Sequence, residues 1–153
     1  MTNTKPLNRI LVIDEVPVIA FGLQQVFLSL NTSITAEHSD NILQPLSAVA
    51  YKNKSFDLVV LGMLPDGSSE NVQEVLTDLK KQFGNPKVML YVTEYDHMII
   101  EKIEEWGLDG YVHKYESIEE LQRAYTCLAA DERYISEMFH TLFNDYHLNL
   151  KLL

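Results

Sequence analysis

Short apolar runs alternate with longer stretches in which apolar residues recur every three or four positions, and the alternation continues from residue 9 to about residue 130. The short runs, Arg9 to Ile13, Ser33 to His38, Asp57 to Leu61, Lys87 to Val92 and Gly110 to Lys114, read as strands. Most are apolar throughout, as strands covered on both faces are. Between them Val18, Leu23, Val26, Phe27 and Leu30 recur at helical spacing after Pro17, a residue suited to a first helical turn. A second stripe, Val72, Val75, Leu76, Leu79 and Phe83, stops at Gly84 with Pro86 beyond. Ile99, Ile100 and Ile103 mark another, ending near Gly107. Ser117 and Glu120 form a capping-box pattern that opens a helix with Ile118, Leu121, Tyr125 and Leu128 inward. A further helix is expected within 40–53.

Strands and helices in strict alternation predict an α/β fold, a doubly wound five-stranded parallel sheet. Right-handed crossovers favour strand order 2-1-3-4-5. Chemistry in such a sheet sits beyond the carboxyl ends of the strands. Those ends carry Asp14 and Glu15, then Gly62, then Val92 and Thr93, then Lys114.

Composition narrows the partners. The 153 residues, 46% hydrophobic, fit one domain, residues 1–130, followed by a linker and helix over 131–153. A net charge of -10 repels phosphate backbones, so no direct nucleic-acid binding by this chain is expected. No apolar stretch approaches the roughly 20 residues of a membrane span, and the run Ile10 to Ile13 ends at Asp14 and Glu15, too soon for a signal-peptide core. Cys127 has no second cysteine to pair with, which fits a reducing cytoplasm. His38, His97, His113, His140 and His147 show no metal-ligand spacing.

Four segments, "ILVIDEVPVIAFGLQQVF", "FDLVVLGMLPDGSS", "KVMLYVTEYD" and "WGLDGYVHK", occur in the order and at the places of the motifs of two-component response-regulator receiver domains, which the chain resembles over about residues 8 to 130. "ADERYISEMF" at 130–139 resembles the stretch after the last receiver helix in NarL/FixJ (LuxR-type) transcriptional regulators, where a linker leads to a helix-turn-helix DNA-binding domain. The resemblance implies a flavodoxin-like receiver fold, a place in two-component signal transduction and transcription regulation, and a histidine kinase or another protein as partner. It also implies a site. In such receivers an aspartate closing the third strand attacks a phosphohistidine while Mg²⁺ on an acidic pair neutralises the transferring oxygens. A hydroxyl residue and a lysine then hold the phosphoryl group.

Carried over residue by residue, the acidic pair is Asp14 and Glu15, the lysine is Lys114 and the switch aromatic is Tyr111. The phosphoacceptor position falls on Gly62, which has no side chain. The hydroxyl position, 15 residues before Gly107, falls on Val92. Neighbours do not substitute readily: Asp57 lies roughly 16 Å back along the strand at about 3.3 Å per residue, Thr93 faces the opposite side, and Asp66 reads as a turn residue. The expectation is therefore a degenerate receiver, not an enzyme, acting through protein contacts or as a homodimer. The alternative is a conventional phospho-accepting receiver that uses a non-standard side chain.

Without a third carboxylate, Asp14 and Glu15 make a weak Mg²⁺ site at most, and no other cofactor is implied. A direct pairing of Lys114 with Asp14 or Glu15 is the competing expectation. Trp106, Tyr111 and Tyr115 are expected near a partner surface made by the fourth helix, the fifth strand and the fifth helix. Phe139, Leu142, Phe143 and Tyr146 form an aromatic stripe that needs either the domain or a dimer partner to cover it.

Overall fold

The computed structural model describes residues 6–41, 45–46, 51–63, 72–93 and 97–151. Six strands, β1 (Arg9–Ile13), β2 (Thr35–Ser39), β3 (Leu58–Leu61), β4 (Lys87–Val92), β5 (Gly110–His113) and β6 (Tyr134–Ile135), form one parallel sheet of order β2-β1-β3-β4-β5-β6. The five expected strands and their order are present. The sixth, two residues long, carries too short a pattern for periodicity to register. Five helices are described: α1 (Pro17–Leu28), α2 (Val72–Gln82), α3 (His97–Glu105), α4 (Ile118–Ala129) and α5 (Glu137–Lys151). The helix expected within 40–53 falls in part outside the described residues, which there are 40–41, 45–46 and 51–53.

β1, β3, β4 and β5 have continuous apolar cores because both faces are covered. On one face Ile10, Val12, Leu58, Val60, Met89 and Val112 meet α1 and α4. On the other Leu11, Val59, Leu90 and Tyr111 meet α2, Ile103 of α3, and Phe139 and Phe143 of α5. The segment after residue 131 thus joins the same core, with β6 extending the sheet and α5 lying against α3 and β5. The aromatic stripe is covered by the domain itself.

Two expected inward residues face solvent. Val18 is 79% exposed, because the inner face of α1 is made by Ala20, Leu23 and Phe27. Ile118 is 56% exposed, since it occupies the first turn of α4 beside the N-cap Ser117, whose hydroxyl accepts from the Glu120 amide at 3.3 Å. Leu121, Tyr125 and Leu128 do point inward. No described helix is long and apolar enough to cross a membrane.

Candidate functional site: an ion-paired cluster at the strand ends

The parallel register brings the carboxyl ends of β1, β3, β4 and β5 side by side, pairing Ile13 with Leu61, Leu61 with Leu90, and Val92 with His113. Asp14, Gly62 and Lys114 follow directly. The backbone ties them: the Asp14 amide donates to Ser39 O at 3.0 Å, the Gly62 amide to Ile13 O at 2.7 Å, and the Lys114 amide to Val92 O at 3.1 Å.

The side chains complete one cluster. Lys114 Nζ lies 3.0 Å from Asp14 Oδ2 and donates to the Gly62 carbonyl at 2.5 Å. The other Asp14 oxygen, Oδ1, accepts the Val16 amide at 2.8 Å, which fixes the carboxylate at the entry to α1. The Asp14 side chain is fully buried and that of Lys114 only 18% exposed, so the pair sits where water screens it little. Glu15 is exposed and has no part in the ion pair. Of the two carboxylates that could have met Lys114, Asp14 is the partner.

Gly62 is required by proximity, its backbone being outside the left-handed region. A Cβ on Gly62 would lie 2.9 Å from Asp14 Cγ, closer than such atoms approach, and at a tight 3.0 Å from Asp14 Cβ. The space a side chain would need at the end of β3 is filled by the Asp14 carboxylate. Val92 is buried, contributing an apolar wall and no hydroxyl. Asp57 lies at the opposite end of β3, accepting the Asn8 and Arg9 amides at 3.0 Å each. Asp66 is outside the described residues.

A Mg²⁺ ion would need several oxygen ligands in octahedral geometry. The oxygens closest to hand, Asp14 Oδ2 and Gly62 O, are both engaged by the Lys114 ammonium. Among the described residues no group of three or more His, Cys, Asp or Glu side chains could hold a metal. Among the described residues, neither of these two oxygens is left free of Lys114 for an ion.

Tyr111, on β5 three residues before Lys114, is completely buried. Its hydroxyl donates to Ile103 O at 2.7 Å and accepts the Leu108 amide at 3.0 Å. Burial raises its pKa above the usual tyrosine value, against the lowering effect of the Leu108 amide and Arg133. In this conformation Tyr111 offers no surface to a partner, because Phe139 and Phe143 cover its ring. Trp106 is half-buried against the same core and Tyr115 is 76% exposed, so the surface expected of these three residues reduces to two.

Sequence reasoning missed His113, wholly buried at the end of β5, where its Nδ1 accepts the Tyr115 amide at 3.1 Å. Burial lowers its pKa, with Glu116 opposing. Its alternation with Tyr111 along β5 gave no sign of burial on both faces. The outer face of α1 was missed as well: Val16, Val18, Phe21 and Leu28 are all exposed.

No family model matches the chain, and no curated protein sequence does. Solved structures with the same fold include a LuxR-family DNA-binding response regulator from Silicibacter pomeroyi, 20% identical, with 87% of this chain and 99% of that one aligned at a TM-score of 0.66. A LuxR-family two-component response regulator from Aurantimonas sp. SI85-9A1 is 18% identical over 92% of this chain and 97% of that one, with a TM-score of 0.71. The isolated receiver domain of RcsB from Salmonella enterica serovar Typhimurium, solved with the phosphomimetic BeF3-, is 14% identical over 88% and 97%, at 0.70. At these identities the likeness is one of fold, and the fold is that of receiver domains.

Proposed function

We propose that this chain is a degenerate receiver module of a LuxR-type response regulator, working in the cytoplasm through protein contacts and without phosphoryl transfer at the end of β3. The observation that carries this reading is the occupation of the acceptor volume by Asp14, with Lys114 Nζ ion-paired to Asp14 and hydrogen-bonded to the Gly62 carbonyl. A phosphoryl group there would need a nucleophile, a metal and a hydroxyl ligand, and the residues in those places are Gly62, an ion-paired Asp14 and Val92.

The receiver fold supports a signalling role by analogy of architecture. The exposed apolar residues of α1, with Tyr115 and Ile118 at the start of α4, support protein contact, since exposed apolar surface marks interaction sites. Association with a protein partner or a second copy is the proposed output, and DNA contact would belong to a separate domain of a longer protein. The cluster braces the strand ends in one arrangement where an ordinary receiver would alternate between two.

Titration with beryllofluoride and Mg²⁺, followed by backbone amide NMR shifts, tests the reading. Beryllofluoride mimics an acyl phosphate by bonding to a carboxylate. The amides of Gly62, Val92 and Lys114 are expected to stay unshifted; saturable shifts at these three amides would overturn the proposal.

A further inference from the structure

Tyr111 is held from several sides by a single neighbouring segment. Phe143 meets its ring edge-on at 5.4 Å between centroids and Phe139 packs tilted at 5.8 Å. The Arg133 guanidinium lies 5.5 Å from the ring centroid while its Nε donates to Leu108 O at 3.2 Å. β6 pairs Ile135 with Tyr111, and the Ser136 amide donates to Tyr111 O at 2.8 Å. Every one of these residues lies between 133 and 143.

The strand-end cluster has no comparable hold. Lys114 is ion-paired with Asp14 and donates to the Gly62 carbonyl, and Val92, an apolar side chain with no directional bond to give, shares its core cluster with Tyr111. A shift of the cluster reaches Tyr111 along the β5 backbone and through packing, with no side-chain hydrogen bond to the Tyr111 hydroxyl. A shift of α5 reaches it through the Phe139 and Phe143 rings, and a shift of β6 through strand pairing and the Ser136 hydrogen bond.

We infer that β6 and the first turns of α5 form a built-in regulatory cover: residues 133–143 hold Tyr111 buried against Ile103 and Leu108 and occupy the α3–β5 face, and lifting this segment, with no change at the strand-end cluster, is what frees Tyr111. The inference rests on the proposed receiver reading for its biological sense and on the contacts of residues 133–143 for its physics. The attachment is graded along the helix. Its first two turns insert Phe139 and Phe143 into the core. Farther along, Tyr146 reaches Glu101 of α3, His147 Nε2 meets Glu104 at 2.8 Å in a half-exposed pair, and Leu148 is exposed. Exposed ion pairs hold weakly, and a terminal element with an exposed far end is the kind that opens locally before the rest of a domain.

The Leu108 amide reports the state directly, because its hydrogen bond is to the Tyr111 hydroxyl. Hydrogen exchange at Leu108 in the full chain is to be compared among the parent, Phe143→Ala, the double variant Glu104→Gln/His147→Gln, and Asp14→Asn. Phe143→Ala is expected to speed Leu108 exchange at least about tenfold relative to amides of α1. The double variant, which leaves the core untouched, is expected to speed it about threefold. Asp14→Asn should leave the ratio of Leu108 to α1 exchange within about twofold.

If Phe143→Ala unfolds the chain, the double variant alone decides. An unchanged Leu108 rate in it, or a response to Asp14→Asn as large as to the helix variants, would overturn the inference. A phosphoryl group captured at the strand ends would defeat the receiver reading above while leaving this result standing if Leu108 exchange still follows the helix.

Discussion

Gly62 and Asp14 share one volume: the direction in which residue 62 would carry its side chain is filled by the Asp14 carboxylate, whose Cγ would lie 2.9 Å from the added Cβ. The glycine is therefore part of the packing of the cluster. Gly62→Ala should destabilise the fold by about 1–3 kcal/mol, the range for forcing an extra group into a filled site. Urea denaturation should show a lower midpoint with an unchanged slope. A more stable variant would mean that the carboxylate moves aside freely.

Removing one member of the ion pair should cost more than removing both. Lys114→Met leaves Asp14 buried without its cation, for which about 3–5 kcal/mol is expected. Asp14→Asn combined with Lys114→Met should recover a large part of that loss. A double-mutant cycle on unfolding free energies measures the coupling, expected at about 0.5–3 kcal/mol. Strict additivity would show that the pair does not brace the strand ends.

Stability should decline on the acid side of neutrality through His113. Its folded pKa is lowered by burial, so the unfolded chain binds the proton more tightly than the folded one. The contribution is complete above the unfolded value of about 6.5 and is lost as pH falls through the lower folded value. His113→Asn keeps a side-chain acceptor near the Tyr115 amide and should flatten the slope of unfolding free energy between pH 7 and pH 5. An unaltered slope in that variant would exclude His113 as its source.

Tyr111→Phe removes a hydroxyl that satisfies both the Ile103 carbonyl and the Leu108 amide in a buried place. About 1–3 kcal/mol of destabilisation is expected, the cost of leaving such groups unpaired. Thermal or urea unfolding of the single variant checks it. A neutral result would mean that water enters to replace the hydroxyl.

The parts of the fold legible in the sequence are those with strong patterns. The continuous apolar runs around Ile10, Val60 and Leu90 placed the central strands, and the order of the strands followed from their crossovers. The strand ends, with Asp14, Gly62, Val92 and Lys114, were legible for the same reason, since a strand's last residue fixes what comes next. Which acid Lys114 would choose was not legible, because Asp14 turns inward by accepting the Val16 amide while Glu15 faces solvent. Nor was the sixth strand: Tyr134 and Ile135 are two residues, too few for a period. Val18 and Ile118 matched helical stripes in spacing alone, and spacing cannot tell an inner face from an apolar outer one. The covering of Tyr111 by Phe139 and Phe143 depends on where α5 lands, and the aromatic stripe could say only that some surface was needed.

Intact-mass measurement after incubation with a small acyl phosphate donor and Mg²⁺ reads whether the strand ends take up a phosphoryl group. The unmodified mass is expected at every donor concentration, since neither Gly62 nor the paired Asp14 offers a free nucleophile. A labile gain of one phosphoryl group, lost on mild base treatment and mapped to the strand ends, would contradict it.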